Sequence, residues 1–276
     1  MFDYLGKTFK NQNELFSFLR QNKDLIISAK KSEMKRADAI SFQLFDFEAP
    51  ESDIIKAIPT ASELMALDSF KAKVVINTTN IRDSHKDVHI PNLWKKSLQE
   101  TKIIYLLQEH EMKFDKVISD DLKAFTKTLS WQALGFDFAG NTQALIFDAN
   151  IEKMRNNYMA EQYAKGYVKN HSVGMNYVKI DLAMKSDSRA DAKEREVYDK
   201  YINEIVNKEE VESDGYFWAV TEAKVIEGSA VLRGSNYVTP TLSLGKLEPS
   251  DDTQQYNEPQ EGTRSVKSKL FNLKNL

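Results

Sequence analysis

Residues 170–177 read Asn-His-Ser-Val-Gly-Met-Asn-Tyr, and they open a run in which small or polar side chains alternate with apolar ones. This alternation predicts a β-strand from Ser172 to about Leu182, because successive side chains of a strand point to opposite faces. Val173 and Met175 then lie on one face of the strand, and Ser172 lies on the other. The run therefore predicts a strand that carries a serine near its beginning.

A second segment ends in an isolated histidine. The apolar run Ile103–Leu107 predicts a buried strand, which delivers His110 to the rim of a sheet. A serine and a histidine on two strands can act as a nucleophile and its base. His171 adjoins Ser172 directly and is a poor base for it, because neighbouring strand residues point to opposite faces. Ser172 and His110 are therefore the candidate pair.

Composition excludes several other classes of protein. The chain has 276 residues and no cysteine, so disulfides, thiolate nucleophiles and cysteine-based zinc sites are excluded. A net charge of -3 argues against broad electrostatic binding of nucleic acid. The absence of a G-x-S-x-G elbow, a P-loop and a dinucleotide fingerprint disfavours α/β-hydrolases and nucleotide-binding enzymes. We expect no cofactor.

The chain shows no sign of a membrane partner. No run approaches the roughly 18 apolar residues that are needed to span a bilayer. The first residues lack the basic and apolar regions of a signal peptide. These patterns predict a soluble protein that acts where it is made.

The order of the predicted elements favours a β-rich α+β fold over regular βαβ winding. We expect a strand-helix module at 1–36, a strand and linker at 37–69, and a core at 70–245 followed by a flexible tail at 246–276. The core contains a charged helical insert at 187–213, which reads as an amphipathic helix. Residues 151–167 predict the clearest core helix, with Met154, Tyr158 and Tyr163 at helical spacing.

A third group that orients the histidine would be an acid or a second histidine. Glu222 and Glu227 lie in a later predicted strand, where an acid is costly to bury unless it is paired. They are five residues apart, so a regular strand sends them to opposite faces and only one can face Ser172. Both glutamates stay open as candidates on this pattern alone.

His85 and His89 offer a metal-site alternative, since Asp83 and Asp87 lie beside them. The segment reads as a loop, so a spacing of four does not place both imidazole rings on one face. A metal-dependent hydrolase that uses these residues remains an alternative function.

Four segments follow one another along the chain: Asp83–Trp94, Leu106–Glu111, His171–Met175 and Glu222–Asn236. In this order they resemble the prohead (capsid maturation) serine proteases of tailed phages. Lys86 and Met175 depart from the family pattern, which has glycine and an aromatic residue at these positions. Gly228, Gly234 and Ser235 depart from the family's Glu-Val-Ser-x-Val-x-x-Pro-Ala-Asn strand.

The resemblance implies a β-barrel core with surrounding helices, like that of the herpesvirus assemblins. It makes Ser172 the nucleophile and His110 the general base. The resemblance also implies an orienting acid on the later strand, where Glu222 is preferred and Glu227 is the runner-up. Backbone N–H groups near Arg233-Gly234 are the candidate donors of an oxyanion hole.

The resemblance also implies a place of action. A protease of this family would work inside the assembling procapsid in the host cytoplasm. Its protein substrates would be the scaffold, the major capsid protein and often the protease itself. A homodimer is expected by analogy with assemblins. A non-catalytic assembly or scaffold protein on the same fold is the alternative.

Overall fold

The computed structural model describes residues 2–4, 6–34 and 59–246. The strand predicted near 40–47 and all but the first residue of the predicted tail lie outside the described residues. Within the described ranges, no helix has both the length and the apolar character needed to cross a membrane.

The helices and strands of the described residues alternate irregularly along the chain, as an α+β fold requires. The α-helices are α1 Gln12–Ser32, α2 Ala61–Met65, α3 Lys95–Glu100, α4 Asn157–Ala164, α5 Ala192–Tyr201 and α6 Lys208–Asp214. The strands are β1 Phe2–Tyr4, β2 Lys7–Phe9, β3 Ser69–Thr78, β4 Asp87–His89, β5 Tyr105–Gln108, β6 Val117–Ser119, β7 Leu122–Ser130, β8 Asn141–Glu152, β9 Asn170–Met184, β10 Tyr216–Val231 and β11 Thr241–Gly245.

Strand β10 organises the first large sheet. Strand β9 pairs with it in antiparallel fashion over almost its whole length. Strands β4 and β5 pair with it in parallel, β4 at Trp218–Val220 and β5 at Glu227–Ala230. Because β9 occupies one edge of β10, β4 and β5 share the other edge, and β6 continues the sheet beyond β5.

A second sheet has the order β11-β3-β8-β7, and all its pairs are antiparallel. The two large sheets are separate and do not close into a barrel within the described part of the chain. The prediction of a mixed α+β fold is therefore confirmed, whereas the predicted barrel core is not.

The two sheets meet at the middle of the main core. A Cβ atom added at Gly228 of β10 would lie 2.6 Å from Phe147 of β8 and 2.9 Å from Ile76 of β3. Both of those side chains are fully buried. The absence of a side chain at position 228 thus lets β10 approach the second sheet closely.

Helix α1 docks on the core through charged residues as well as apolar ones. Its N-cap Asn11 accepts a hydrogen bond from the backbone N–H of Glu14, which fixes where the helix begins. Three ion pairs join the helix to β4 and to the charged insert: Lys30–Asp87, Arg20–Asp191 and Lys23–Glu194.

The predicted core helix at 151–167 is wrong at both ends. Strand β8 continues to Glu152, and Asn156 caps α4 by accepting from the backbone N–H of Met159. Met154 and Tyr158, which the pattern placed on the buried face, are 99% and 60% exposed. A polar cap at Asn156 therefore determines the start of the helix against the apolar spacing.

The insert is helical, but it is not one continuous helix. Helix α5 ends at Tyr201, a 3₁₀ turn follows at Ile202–Glu204, and α6 begins at Lys208. Ile202 and Ile205 are buried, so the apolar side of the insert packs on the core across the turn.

Candidate active site

The pairing of strands β5, β10 and β9 sets the position of Ser172 relative to the end of β5, after which His110 follows. Ser229 of β10 is paired with Leu107 of β5 on one side and with Ser172 of β9 on the other. Directly paired residues of an antiparallel ladder project from the same face, with Cβ atoms roughly 4.5–5.5 Å apart. Ser172 therefore projects from the face that carries Ser229.

His110 follows β5 in a tight turn that carries it back over the sheet. The backbone N–H of Glu111 donates to the carbonyl of Gln108 at 3.0 Å, which closes the turn. Glu109 and His110 have φ angles of 52° and 59°. Left-handed backbone at two consecutive non-glycine residues is uncommon, and such strained positions cluster at functional sites. The geometry of His110 thus supports a functional role.

A buried hydrogen-bond network holds His110 against β10. Its Nδ1 lies 2.6 Å from Oε1 of Glu227. Ser229 Oγ donates to Oε2 of the same carboxylate at 2.7 Å and accepts from the backbone N–H of His110 at 3.1 Å. Glu227 is 0% exposed, so its carboxylate is paired through both oxygens, as a buried acid must be. A carboxylate at Nδ1 fixes the tautomer and the orientation of an imidazole ring.

Gly174 makes room for this carboxylate beside Ser172. Gly174 is the ladder partner of Glu227, two residues after Ser172 on the same face of β9. A Cβ atom added at Gly174 would lie 1.9 Å from Oε1 of Glu227. The carboxylate therefore lies over Gly174, on the face of β9 from which Ser172 projects two residues earlier. The Ser-x-Gly spacing of β9 thus has a direct structural reason.

The structure pairs Glu222, the preferred orienting acid, with two lysines, and places Glu227 against His110. The carboxylate of Glu222 forms ion pairs with Lys179 at 2.6 Å and Lys96 at 3.7 Å. The hydrogen bond from Lys179, together with the charge of both lysines, holds the pKa of Glu222 below its usual value. Bulges in the ladder between Val220 and Glu227 break the regular alternation on which the choice between the acids relied.

A signal for Glu227 was present in the sequence. Glu227-Gly228-Ser229 matches the Glu-x-Ser spacing of the family strand, and the structure shows what that spacing does. Two residues apart on a strand, the glutamate and serine share a face, so the hydroxyl reaches the carboxylate. Ser229 itself was missed, since its role depends on a backbone N–H that follows another strand.

Both ring nitrogens of His171 are held by partners other than Ser172. Burial lowers the pKa of His171 to about 4, so the ring is neutral at pH 7. Its Nδ1 donates to the carbonyl of Thr239 at 3.0 Å, and its Nε2 accepts from the hydroxyl of Tyr163 at 2.9 Å. The Thr239 hydroxyl also accepts from the backbone N–H of His171 and donates to its carbonyl. This clamp fixes the backbone immediately before Ser172.

The segment after β10 packs directly on Ser172. A Cβ atom added at Gly234 would lie 2.8 Å from the carbonyl oxygen of His171 and 3.7 Å from Cβ of Ser172. Asn236 anchors this segment, because its side chain bonds both the hydroxyl and the carbonyl of Thr78. The backbone around Arg233-Gly234 is thus close enough to Ser172 to be considered for an oxyanion hole.

The two histidines of the metal alternative have different surroundings. His89 is buried, with Nδ1 against Asn77 and Nε2 3.3 Å from the hydroxyl of Tyr177, so both ring nitrogens have protein partners. His85 is partly exposed. In the described part of the chain, no group of three or more histidine, cysteine, aspartate or glutamate side chains is arranged to hold a metal ion. The metal alternative gains no support from this geometry.

Comparison of the chain with protein-family models, with curated proteins and with solved structures finds no match. The likeness to prohead proteases therefore rests on the four sequence segments.

Proposed function

We propose that this protein is a serine endopeptidase in which Ser172 is the nucleophile, His110 the general base and Glu227 the orienting acid. The observation that carries this proposal is the buried His110–Glu227 contact at 2.6 Å, on the sheet face from which Ser172 projects. A buried acid–histidine pair next to a strand serine has the three roles that nucleophilic acyl transfer needs.

The proposed reaction has two halves, acylation of Ser172 and hydrolysis of the acyl-enzyme, and His110 transfers the protons in both. His110 Nε2 takes the proton of the Ser172 hydroxyl while the oxygen attacks the scissile carbonyl carbon. The protonated histidine then gives that proton to the leaving amine, and an acyl-enzyme remains on Ser172. A water molecule, deprotonated by His110, hydrolyses the acyl-enzyme and regenerates the serine. Glu227 stabilises the imidazolium in both halves.

The tetrahedral intermediate also needs donors for its oxyanion. We assign this role to backbone N–H groups around Arg233-Gly234, because Gly234 packs against Ser172 and His171. Asn236 and Thr78 hold the segment in place through two buried hydrogen bonds. A preorganised donor of this kind does not have to move during the reaction.

The proposed setting follows from the resemblance to prohead proteases. The substrates would be the scaffold and the major capsid protein of an assembling procapsid in the host cytoplasm, with the protease itself as a further substrate. The core would be a herpesvirus-protease-like fold, and a homodimer would be consistent with that fold. The four ordered segments support this setting, and Glu227-Gly228-Ser229 strengthens the fourth of them.

The test combines substitution with chemical labelling of the full chain. Ser172→Ala should keep the thermal unfolding midpoint and abolish self-cleavage, read by mass spectrometry of the chain termini. A fluorophosphonate probe should modify the parent protein at Ser172 and should not modify His110→Ala. Ser243→Ala, a substitution on β11, is the matched control and should react like the parent. Unchanged processing or labelling in Ser172→Ala would contradict the proposal and favour the non-catalytic assembly protein.

A further inference from the structure

Four exposed apolar side chains lie on two segments next to the turn that carries His110. Of the nine large apolar side chains that are well exposed in the described part of the chain, four come from these segments: Met112, Phe114, Met154 and Tyr158. Phe114 is 91% exposed and Met154 is 99% exposed. Single apolar residues are ordinary on a protein surface, whereas a group of them marks a surface that binds a partner. We call these four residues the apolar patch.

Hydrogen bonds hold the two segments of the apolar patch together. Nδ2 of Asn156 donates to the carbonyl of Asp115 at 3.3 Å. A guanidinium nitrogen of Arg155 donates to the carboxylate of Asp120 at 2.6 Å. Asn156 is buried, and it also caps α4 by accepting from the backbone N–H of Met159. The backbone beneath the apolar patch is therefore fixed, although the side chains above it are exposed.

The chain leaves the second sheet at the end where half of the apolar patch lies. Strands β11 and β8 both pair with β3 in antiparallel fashion, so they run in the same direction. Gly245 of β11 and Asn150 of β8 share the partner Lys71, which places them two strands apart, or roughly 10 Å. From Asn150, β8 continues toward Met154. Residues 247–276 therefore start close to the apolar patch.

Residues 266–276 have the composition of a segment that binds such a patch. They read Val-Lys-Ser-Lys-Leu-Phe-Asn-Leu-Lys-Asn-Leu. Val266, Leu270 and Leu273 have the i, i+4, i+7 spacing of the anchors that dock into apolar grooves, and Phe271 adds an aromatic ring. A stretch of about 20 residues separates this segment from β11 and can span about 25 Å even as a coil, so the apolar patch is within reach.

The charges of the two surfaces are complementary. Residues 266–276 contain three lysines and no acid. The segments that carry the apolar patch, 109–121 and 152–158, contain six acidic and four basic side chains. Opposite charges around an apolar contact favour the encounter of two surfaces and fix their register. A basic, apolar segment of this same chain therefore suits the surface better than an acidic partner would.

We propose that residues 266–276 dock on the apolar patch of the same molecule. Their apolar side chains cover Phe114 and Met154, and their lysines face the acidic side chains of the segments beneath. Met112 lies two residues after His110, so the docked segment borders the candidate active site. This inference does not depend on the proposed protease function, because it concerns a packing surface and none of the reacting groups.

Methionine oxidation of the full-length chain tests this docking, because Met112 and Met154 belong to the apolar patch. A Ser172→Ala background keeps the segment from being removed by self-cleavage. Dilute hydrogen peroxide converts exposed methionine to the sulfoxide, which peptide mass spectrometry quantifies. An effective concentration of about 1 mM keeps a segment with a Kd of about 0.1 mM docked about nine-tenths of the time, so both methionines should be oxidised roughly tenfold faster once Leu270→Asp/Phe271→Asp prevents docking.

Ser268→Asp/Asn272→Asp is the matched control, because it adds the same charge at polar positions of the segment and should keep the slow oxidation. Met34, which is partly exposed on the far side of α1, is the internal reference and should react at one rate in every chain. Equal oxidation with and without Leu270→Asp/Phe271→Asp would overturn the docking. Protection that increases with protein concentration would also overturn it, since a second copy would then be the occupant.

Hydrogen exchange tests the same contact from the other side. Phe114→Asp should raise the exchange rate of the amides of residues 266–276 by a similar factor. Leu25→Asp, at another exposed apolar position, is the control and should leave that rate unchanged. Because both side chains are exposed, neither substitution should move the thermal unfolding midpoint. Unchanged exchange in Phe114→Asp would overturn the proposal, and Ser172-dependent cleavage would still stand in that case.

Discussion

Glu222 and Glu227 lie on the same strand, five residues apart, and their surroundings are opposite. The first is held at the surface by two lysines, and the second is fully buried against His110 and Ser229. Glu227→Gln keeps the shape of the side chain and removes the charge to which the proposed mechanism assigns the stabilisation of protonated His110.

We therefore expect Glu227→Gln to lower kcat by up to roughly ten-thousand-fold, the loss seen when a triad acid becomes an amide. KM should change little, since the acid does not contact substrate. The measurement is the rate of peptide cleavage, with the rate of fluorophosphonate labelling as a second readout. Glu222→Gln is the matched control and should retain the parental rates. Equal losses in both variants would refute the assignment of Glu227.

At this scale the sequence predicted some site residues and not others. Strand alternation separated His171 from Ser172, and the end of an apolar run indicated His110. Strand alternation alone could not separate Glu227 from Glu222, because bulges shift the register between them and a bulge depends on the partner strand. Ser229 was not recognised because it also binds the backbone N–H of His110, which no side-chain pattern reveals.

At the scale of elements, the clamp around His171 joins α4, β9 and the segment before β11. The pKa of His171 is about 4 in the folded protein, against 6.5 for an unperturbed histidine, because burial disfavours the charged ring. This difference corresponds to about 3 kcal/mol of stability, which is present above pH 6.5 and is lost as the pH falls toward 4. Below pH 6.5 the unfolded chain binds a proton that the folded chain does not.

We expect the free energy of urea unfolding to decrease between pH 7 and pH 4.5, and His171→Gln to flatten part of this decrease. The Gln variant should also be less stable at pH 7, because its side chain cannot reproduce both ring contacts. Burial lowers the pKa of His89 as well, so only the difference between parent and variant reports on His171. His85→Gln is the control, and a profile as flat as that of His171→Gln would contradict the assignment.

Element boundaries show where local patterns failed. Strand β10 runs without a break from Tyr216 to Val231, because β5 and β9 pair with it on both sides of Gly228. Gly228 looks like a break in the sequence, yet it is where β10 packs against Phe147. Tertiary contacts of this kind override strand propensity and are invisible to a local pattern.

At the scale of the whole molecule, α1 reaches the interior through Lys30. Lys30 and Asp87 are both buried, and Asp87 also accepts a hydrogen bond from Tyr177 at 2.8 Å. Tyr177 in turn lies 3.3 Å from the ring of His89, and His89 and Ser172 are among the residues that line one small recess. A chain of buried polar contacts thus links the N-terminal helix to the neighbourhood of Ser172.

Removing Lys30 would leave Asp87 charged and buried. We expect Lys30→Met to lower the free energy of unfolding by about 3–5 kcal/mol, the usual cost of breaking a buried ion pair from one side. Lys31→Met, at an exposed position of the same helix, is the control and should change little. Asp87→Asn in the Lys30→Met background should restore part of the loss, as urea unfolding would show. Equal stability of the two single variants would contradict the role of this pair.

The fold class was predictable because it depends on the order of elements, which local patterns supply. The pairing of sheets was not, because it joins residues far apart in sequence. His110 and Glu227 are 117 residues apart, and no pattern near either residue indicates the other. The separate sheets and the close approach at Gly228 likewise arise from contacts between distant parts of the chain.

That separation between His110 and Glu227 has a consequence for synthesis. Translation proceeds from the N-terminus, so a growing chain contains His110 and Ser172 well before it contains Glu227 and Ser229. Until β10 has been made, the histidine lacks its acid, and β5 and β9 lack the strand that holds them together. On the proposed mechanism, a nascent polypeptide is therefore inert on the ribosome, and cutting of neighbouring proteins begins only once the core is almost complete.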